Sequence, residues 1–581
     1  LNRVSALNYS QVIKSWSKAS WAEQAEDRQN EVSIALSFVI GILVGLVIVA
    51  FMLLTGRLAA RMYPPGGAAW LRVFVPTVGA LITGYLLVKH FPEARGSGIP
   101  QTKFALVIKN GFISLRTVLG KFLCCSVSLA SGIALGREGP SVHLGAGLAS
   151  VLGRHFGLKP ANVRLLIPVG SSAALAAAFN TPIAAVLFSL EEILGDLHAK
   201  VLGSVVIGAA TSWMVLHLIL GDAPLFHVPA YHLVSPAEFG IYAILGVLGG
   251  LGSVCFVKLL LLIRIWFKRL PASTLWVQPA VGGLAVGLMA LAVPEVLGVG
   301  YDYVERVLGG DLALKTVVLL AVLKIVATAT CYSSGNAGGI FGPSLFIGAM
   351  IGGSVGYVAH SLFPGSTAGP GAYALVGMGT AFAGIIRTPL TSVIMIFELT
   401  RDYSIIVPLM ISNLISFLIS ARLQREPIYE ALAKQEGVHL PSRVAIEEDH
   451  SRQVASILRT DFEAFPPEMA VSEALVKLTE SGHSAWPVAR DGRLVGLATA
   501  GALRDAQESA STTVGELTGE GANPVFVHLD QPLETALERM GESQLNVLPV
   551  VSRADLGELV GIVTLNDVLN AYGVSGKEAS V

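Results

Sequence analysis

Between Ile325 and Ile386 the chain runs for 62 residues without an Asp, Glu, Lys or Arg. About 20 apolar residues suffice for a helix to cross a bilayer, so the stretch could cross more than once. It is nevertheless interrupted by Gly338, Gly339, Pro343, Pro364 and Pro370. Straight spans joined by aqueous loops would place charges inside it. Interrupted helices packed in protein fit better, because irregular backbone at membrane depth is tolerated only where protein or a polar cavity satisfies its polar groups. Val32–Thr55, Leu165–Leu190, Ala272–Pro294 and Tyr403–Ala421 are equally free of charge. The expected fold class is a polytopic α-helical membrane protein.

Composition agrees. Charged residues make up 14% and hydrophobic residues 53% of the 581, against about 25% charged in an average soluble domain. That excludes one large water-soluble domain, and disorder with it. The net charge of -1 conceals a split: residues 1–440 hold 30 Lys+Arg against 20 Asp+Glu, and residues 441–581 hold 10 against 21. Residues 1–31 are polar and mixed in charge, unlike a signal peptide. Cys124, Cys125, Cys255 and Cys331 lie in or beside apolar segments without metal-ligand spacing, so they read as packing residues and no metal site is expected.

The membrane part is duplicated. Gly139-Pro140-Ser141-Val142-His143-Leu144-Gly145-Ala146 recurs 203 positions later as Gly342-Pro343-Ser344-Leu345-Phe346-Ile347-Gly348-Ala349. Thr181-Pro182-Ile183, with Glu191 following, recurs 207 positions later as Thr388-Pro389-Leu390 with Glu398. Duplication with matching Gly/Pro interruptions points to a transporter whose binding site lies at the repeat interface.

Three Gly-rich helix starts could carry the chemistry. In Gly136-Arg137-Glu138-Gly139-Pro140, the proline suits a first helical turn, whose N–H groups and dipole favour an anion. Glu138 can place its own carboxylate there and leave on protonation, which makes it a candidate gate and proton carrier; an ionisable group at this depth defaults to function. Gly339-Ile340-Phe341-Gly342-Pro343 offers the same helix start without the acid, so Ile340 and Phe341 could give backbone amides to an anion. Gly96-Ser97-Gly98-Ile99-Pro100 adds a hydroxyl donor at Ser97.

In this order and combination, the three motifs resemble the CLC family of chloride channels and chloride/proton exchangers, over residues of about 35 to 435. The resemblance implies a CLC-type inverted repeat with broken helices. It also implies chloride coordination by Ser97, the amides of Ile340 and Phe341, and Tyr429 in Pro427-Ile428-Tyr429-Glu430, with Glu138 as gating glutamate. Many of the family's exchangers carry an inner proton-transfer glutamate at the position of Glu192. Glu191 has a repeat counterpart in Glu398, whereas Glu192 has Leu399 in its place. The expected function is chloride/proton antiport, with a passive voltage- or pH-gated chloride channel as the alternative. A homodimer in the lipid bilayer, and a bacterial inner membrane with cytosolic termini, are further implications.

The acidic tail repeats too: Ala474-Leu475 and Pro487-Val488 recur as Ala536-Leu537 and Pro549-Val550, 62 positions on. Each copy reads as helix, strand, turn, strand, helix, and the pair resembles tandem CBS domains, giving an α/β tail behind the helical membrane part. The expected division is an N-terminal cytoplasmic segment at 1–31, a transmembrane domain at 32–421, a final helix and linker at 422–442, and CBS domains at 443–510 and 511–575. Thr564 and Asp567 match the family's adenine-nucleotide signature (ATP, ADP or AMP); Ala502 breaks it in the first copy. No cofactor is required by this reading. No nucleophile–base pair, metal cluster or phosphate-binding glycine loop suggests an enzyme, and the acidic tail disfavours nucleic acid as a partner.

Overall fold

The computed structural model describes the chain apart from residues 1–4, 65, 198–200, 223–224, 227, 229–232, 439–452, 509–512, 519–523, 556 and 573–581, with side chains described from Ser33 onward. It divides into a helical unit, 1–440, and a smaller α/β unit, 441–581. The expected boundaries at 442/443 and 510/511 fall outside the described residues.

Among the described residues of the helical unit, eight helices are long and apolar enough to cross a membrane. The first runs unbroken as Ser5–Met62, and so includes most of the polar N-terminal segment. No Gly or Pro occurs in residues 1–31 to stop it. Large apolar side chains such as Leu218, Trp266, Leu262 and Leu418 are exposed on the unit's surface; on a soluble monomer so much apolar surface would be anomalous, and hydrocarbon covers it here.

The repeats fold alike. Helices Glu138–His155 and Pro160–Phe179 cross in the first, and Phe341–Leu362 and Pro370–Ile386 in the second. Each crossing is set by glycine. A Cβ on Gly145 would lie 2.1 Å from the Gly170 carbonyl oxygen, and one on Gly348 would lie 2.2 Å from that of Gly377. Backbones therefore touch, the packing mode that small residues allow between membrane helices. Asn180 and Arg387 then turn the chain through left-handed conformations, at φ 61° and 68°, and proline opens the next helix in each repeat, Pro182–Phe188 and Pro389–Thr400.

Reciprocal bonds relate the halves by a pseudo-two-fold. Gly136 N–H donates to the Gly339 carbonyl and Gly339 N–H to that of Gly136, both at 2.7 Å. Glu191 accepts from Thr391 N–H (2.8 Å) and its hydroxyl (2.6 Å), while Glu398 accepts from Ile183 and Ala184 N–H at 3.0 and 2.7 Å. Each carboxylate thus caps the other repeat's proline-led helix. Antiparallel pairing of equivalent residues is the inverted repeat that the resemblance implied.

The α/β unit contains two antiparallel hairpins, Ala485–Arg490 with Arg493–Thr499 and Val547–Val551 with Leu559–Thr564. Its copies also meet in equivalent positions: Ser484 N–H donates to Asn546 Oδ1 at 2.7 Å, and Asn546 N–H to Ser484 Oγ at 2.9 Å. Lead segments cross between copies. Val454 packs in the second copy's core and Val514 in the first's, anchored by bonds from Arg459 N–H to the Ile562 carbonyl (3.0 Å) and from Val514 N–H to that of Met469 (2.9 Å).

Candidate functional site

Glu138 opens its helix, and its side chain is fully buried. The carboxylate reaches across the pseudo-two-fold: Oε2 accepts from Gly342 N–H at 3.2 Å, at the start of the Phe341–Leu362 helix. The first N–H groups of a helix have no acceptor within it, so this carboxylate occupies an anion position built by the opposite repeat. Tyr301 donates its hydroxyl to Oε1, and Arg137 Nε stands 3.9 Å from the same oxygen. A Cβ on Gly136 would lie 2.3 Å from Oε2, so glycine there makes room for the carboxylate.

Ser97 precedes the Ile99–Val107 helix, entered through Gly98 at φ 107°. Any Cβ at 98 would strike the Gly139 carbonyl oxygen at 2.2 Å, which brings the Ser97 and Glu138 helix starts together. Two hydroxyls in this region, Ser97 Oγ and Tyr429 OH, are buried and meet no hydrogen-bond geometry among the described residues, with Tyr332 lying beside Ser97. Orphaned buried donors are rare and are what a dehydrated anion needs. Tyr429 lies on the Ile428–Gln435 helix, which packs against the Ser97-led helix, and its phenol is within electrostatic range of both Glu138 and Glu192.

Ile340 and Phe341 are fully buried at the second repeat's helix start. The Phe341 ring packs on Phe382 (4.5 Å between centroids), Phe179 (4.8 Å) and Phe188 (5.5 Å). This apolar wall stands where the first repeat has an acid. Glu192 sits in a π-helical turn, Ser189–Leu194, a local insertion frequent at functional sites. Its Oε1 accepts from Lys103 Nζ at 3.0 Å.

In the α/β unit, Thr564 and Asp567 cap the Leu565–Ala571 helix reciprocally, with Thr564 Oγ1 2.6 Å from Asp567 Oδ2. Arg459 forms an ion pair with the other oxygen, Oδ1.

The sequence reasoning missed Gly342 N–H, Tyr301, Lys103 and a lysine pair. Lys121 Nζ donates to the carbonyls of Ala94 and Gly96, and Lys324 Nζ to those of Val296 and Gly298. Each pins a Gly-rich turn, and the two stand 203 positions apart as lone charges in apolar runs. That spacing was a readable signal. Tyr301 was signalled by Gly298-Val299-Gly300, which copies the Gly96-Ser97-Gly98 pattern 202 positions on.

A buried, duplicated, helix-end anion position at membrane depth defines an integral membrane protein of the ion-transport class. Residues 79–421 match the family described as voltage gated chloride channel, and 454–509 and 514–573 each match the CBS domain. The chain belongs to that chloride channel and transporter family and carries tandem CBS domains. A protein named as a ClcB-like chloride channel protein from Ralstonia nicotianae is 34% identical over 372 residues, covering 63% of this chain and 86% of its own length. The H(+)/Cl(-) exchange transporter ClcA of Vibrio cholerae serotype O1 is 32% identical over 370 residues, covering 62% and 79%. Among solved structures, a slow cyanobacterial Cl-/H+ antiporter superposes with a TM-score of 0.65 at 26% identity, covering 70% of this chain and 97% of that one.

Proposed function

We propose that the protein exchanges chloride for protons across a membrane. The observation that carries this reading is the Glu138 carboxylate seated on Gly342 N–H: an acid that fills an anion position when ionised vacates it when protonated, so the ionised carboxylate and chloride exclude one another at one place and protonation opens it to chloride. Ser97, Tyr429 and the amides of Ile340 and Phe341 hold chloride, and Glu192 passes protons towards Glu138. The exchangers among the relatives support the same reading. In proteoliposomes holding a chloride gradient, Glu138→Ala is expected to pass chloride and to lose proton pumping. Chloride-driven proton uptake undiminished in both Glu138→Ala and Glu192→Gln would sink the assignment.

A passive chloride channel is the second reading, favoured by the channel name of one relative and by the cation beside Glu192; proton uptake against its gradient separates the two. The protein works as a homodimer in a bacterial inner membrane, with both termini, including residues 1–31, and the CBS pair on the cytosolic side. Adenine nucleotide binds at Thr564 and Asp567, which requires Arg459 to release the carboxylate. Titrating the purified protein with ATP, ADP and AMP by calorimetry tests this, and silence for all three leaves the tail a structural role.

A further inference from the structure

Lys103 is a charge that the mechanism above does not use. It projects from the Ile99–Val107 helix, which Ser97 leads, into the space between two acids from different elements. Its Nζ lies 3.0 Å from Glu192 Oε1 and 3.9 Å from Glu430 Oε1. The three side chains are all nearly sequestered, 11% exposed for Glu430, 10% for Lys103 and 3% for Glu192. A lysine with two carboxylates in such surroundings is expensive, since desolvating three charges at membrane depth is repaid only by close pairing. A packing role would be met at lower free-energy cost by apolar residues.

The neighbouring charged groups are held elsewhere. Glu191, next in the chain to Glu192, bonds to Thr391. Arg387, which feels the charge of Glu430, gives its guanidinium to the carbonyls of Ser420, Gln424 and Arg425. His143 Nδ1 is 3.0 Å from the Thr102 hydroxyl, and Lys434 pairs with Glu426. Tyr429, beside Glu430 in the chain, is within electrostatic range of Glu192. A cavity of about 580 Å³ borders the helices that carry Lys103 and Glu430, touching Gln101 and Phe104 on one and Ala433 on the other.

We propose that Glu430, Lys103 and Glu192 form a proton relay, in which Glu430 takes the proton from the solvent side and Lys103 hands it to Glu192. This rests on the reading of Glu192 as the inner proton carrier and extends it by two residues. The steps balance. A hydronium ion protonates Glu430, forming its O–H bond and leaving water. Lys103 gives an ammonium proton to the Glu192 carboxylate, breaking N–H and forming O–H, and the neutral amine then takes the proton of Glu430. Lys103 ends as ammonium, Glu430 as carboxylate, and one proton has moved inward. Lysine, unlike arginine, is able to hand its proton to a partner and take one back.

That difference supplies the test. Lys103→Arg keeps the charge and the pairing but cannot deprotonate, and Glu430→Gln removes the acceptor. Both are reconstituted as the full chain, with Glu192→Gln alongside, and protons moved per chloride are measured across external pH. The relay predicts a ratio about 100-fold lower in both variants, the low end of what one positioned proton-transfer group contributes. Unaltered coupling in either variant, with Glu192→Gln uncoupled, overturns the relay and leaves Glu192 standing. Normal coupling in Glu192→Gln overturns both. If Lys103→Arg gives no transporting protein, Glu430→Gln decides alone.

Discussion

The helix starts at Gly136–Pro140 and Gly339–Pro343 share a backbone and differ in one side chain that matters. Their glycines bond to each other reciprocally, yet position 138 carries an acid and its counterpart, 341, an aromatic ring. The same contrast recurs deeper in the fold. Glu191 and Glu398 are a matched pair of helix caps, while Glu192 faces Lys103 and has only Leu399 as its counterpart. Lys121 and Lys324 match as well, each tying down a Gly-rich turn. Residues that obey the symmetry build the scaffold, and the acids that break it are the ones to which the proposed exchange assigns the protons. A symmetric backbone makes an anion position without formal charge; proton chemistry needs an ionisable group on one side only.

The largest expected effect falls on the asymmetric acid. Glu138→Gln should lower proton transport ~100-fold or more, as loss of an essential proton carrier does. If Phe341→Leu uncouples protons as strongly, the contrast is wrong. Next come the symmetric acids. Glu191→Gln and Glu398→Gln each weaken charge-assisted bonds to a helix start, and each should lower stability by about 1–3 kcal/mol, read as a lower unfolding temperature in detergent, with protons per chloride unchanged. A coupling defect confined to Glu191→Gln would break the pairing with Glu398.

Tyr301→Phe removes a donor to the seated Glu138 carboxylate. The seated carboxylate loses a hydrogen bond to a charge, about 1.5–3 kcal/mol of support, so it should leave the Gly342 N–H more often and chloride turnover at fixed pH should rise. Unchanged turnover would show that Tyr301 is only packing.

The smallest effect lies in the tail. Burial, with Arg459 nearby, holds the His483 ring below its usual titration range. Arg553 holds Asp530 low, and the Gly557 N–H together with Arg493 does the same for Asp555. In each case the unfolded chain binds the proton more tightly, so stability is fully present at high pH and is lost on acidification. Calorimetry of residues 441–581 should show unfolding temperature level above about pH 7, a decline beginning below about 6.5 for His483, and a further one below about 4 for the carboxylates. Arg553→Ala should reduce the later decline, and a decline on alkalinisation would contradict the signs.

Much of this was legible in the sequence because duplication leaves a fixed offset. The 203-residue shift exposed the two helix starts, and the missing partner of Glu192 marked it before any coordinates. Less legible were contacts made by backbone or across the pseudo-two-fold. Gly342 donates through N–H, which no side chain announces. The crossing of Gly145 on Gly170 is a three-dimensional approach of residues that look ordinary in a glycine-rich chain. Lys103 stood in plain view, but its meaning depends on Glu192 and Glu430, 89 and 327 positions away, and only folding brings them together. The exchange of lead segments in the tail was hidden for the same reason, since Val454 leads the first copy yet packs in the second's core, and Val514 leads the second yet packs in the first's.

The central claim is that chloride and proton movements are tied together by acids placed on one side of a symmetric scaffold. Reversal potential under crossed chloride and proton gradients tests it most directly. The account predicts a reversal potential displaced from the chloride equilibrium value and shifting with the pH gradient, a shift abolished by Glu138→Ala. A reversal potential that stays at the chloride equilibrium value for every pH gradient would contradict it.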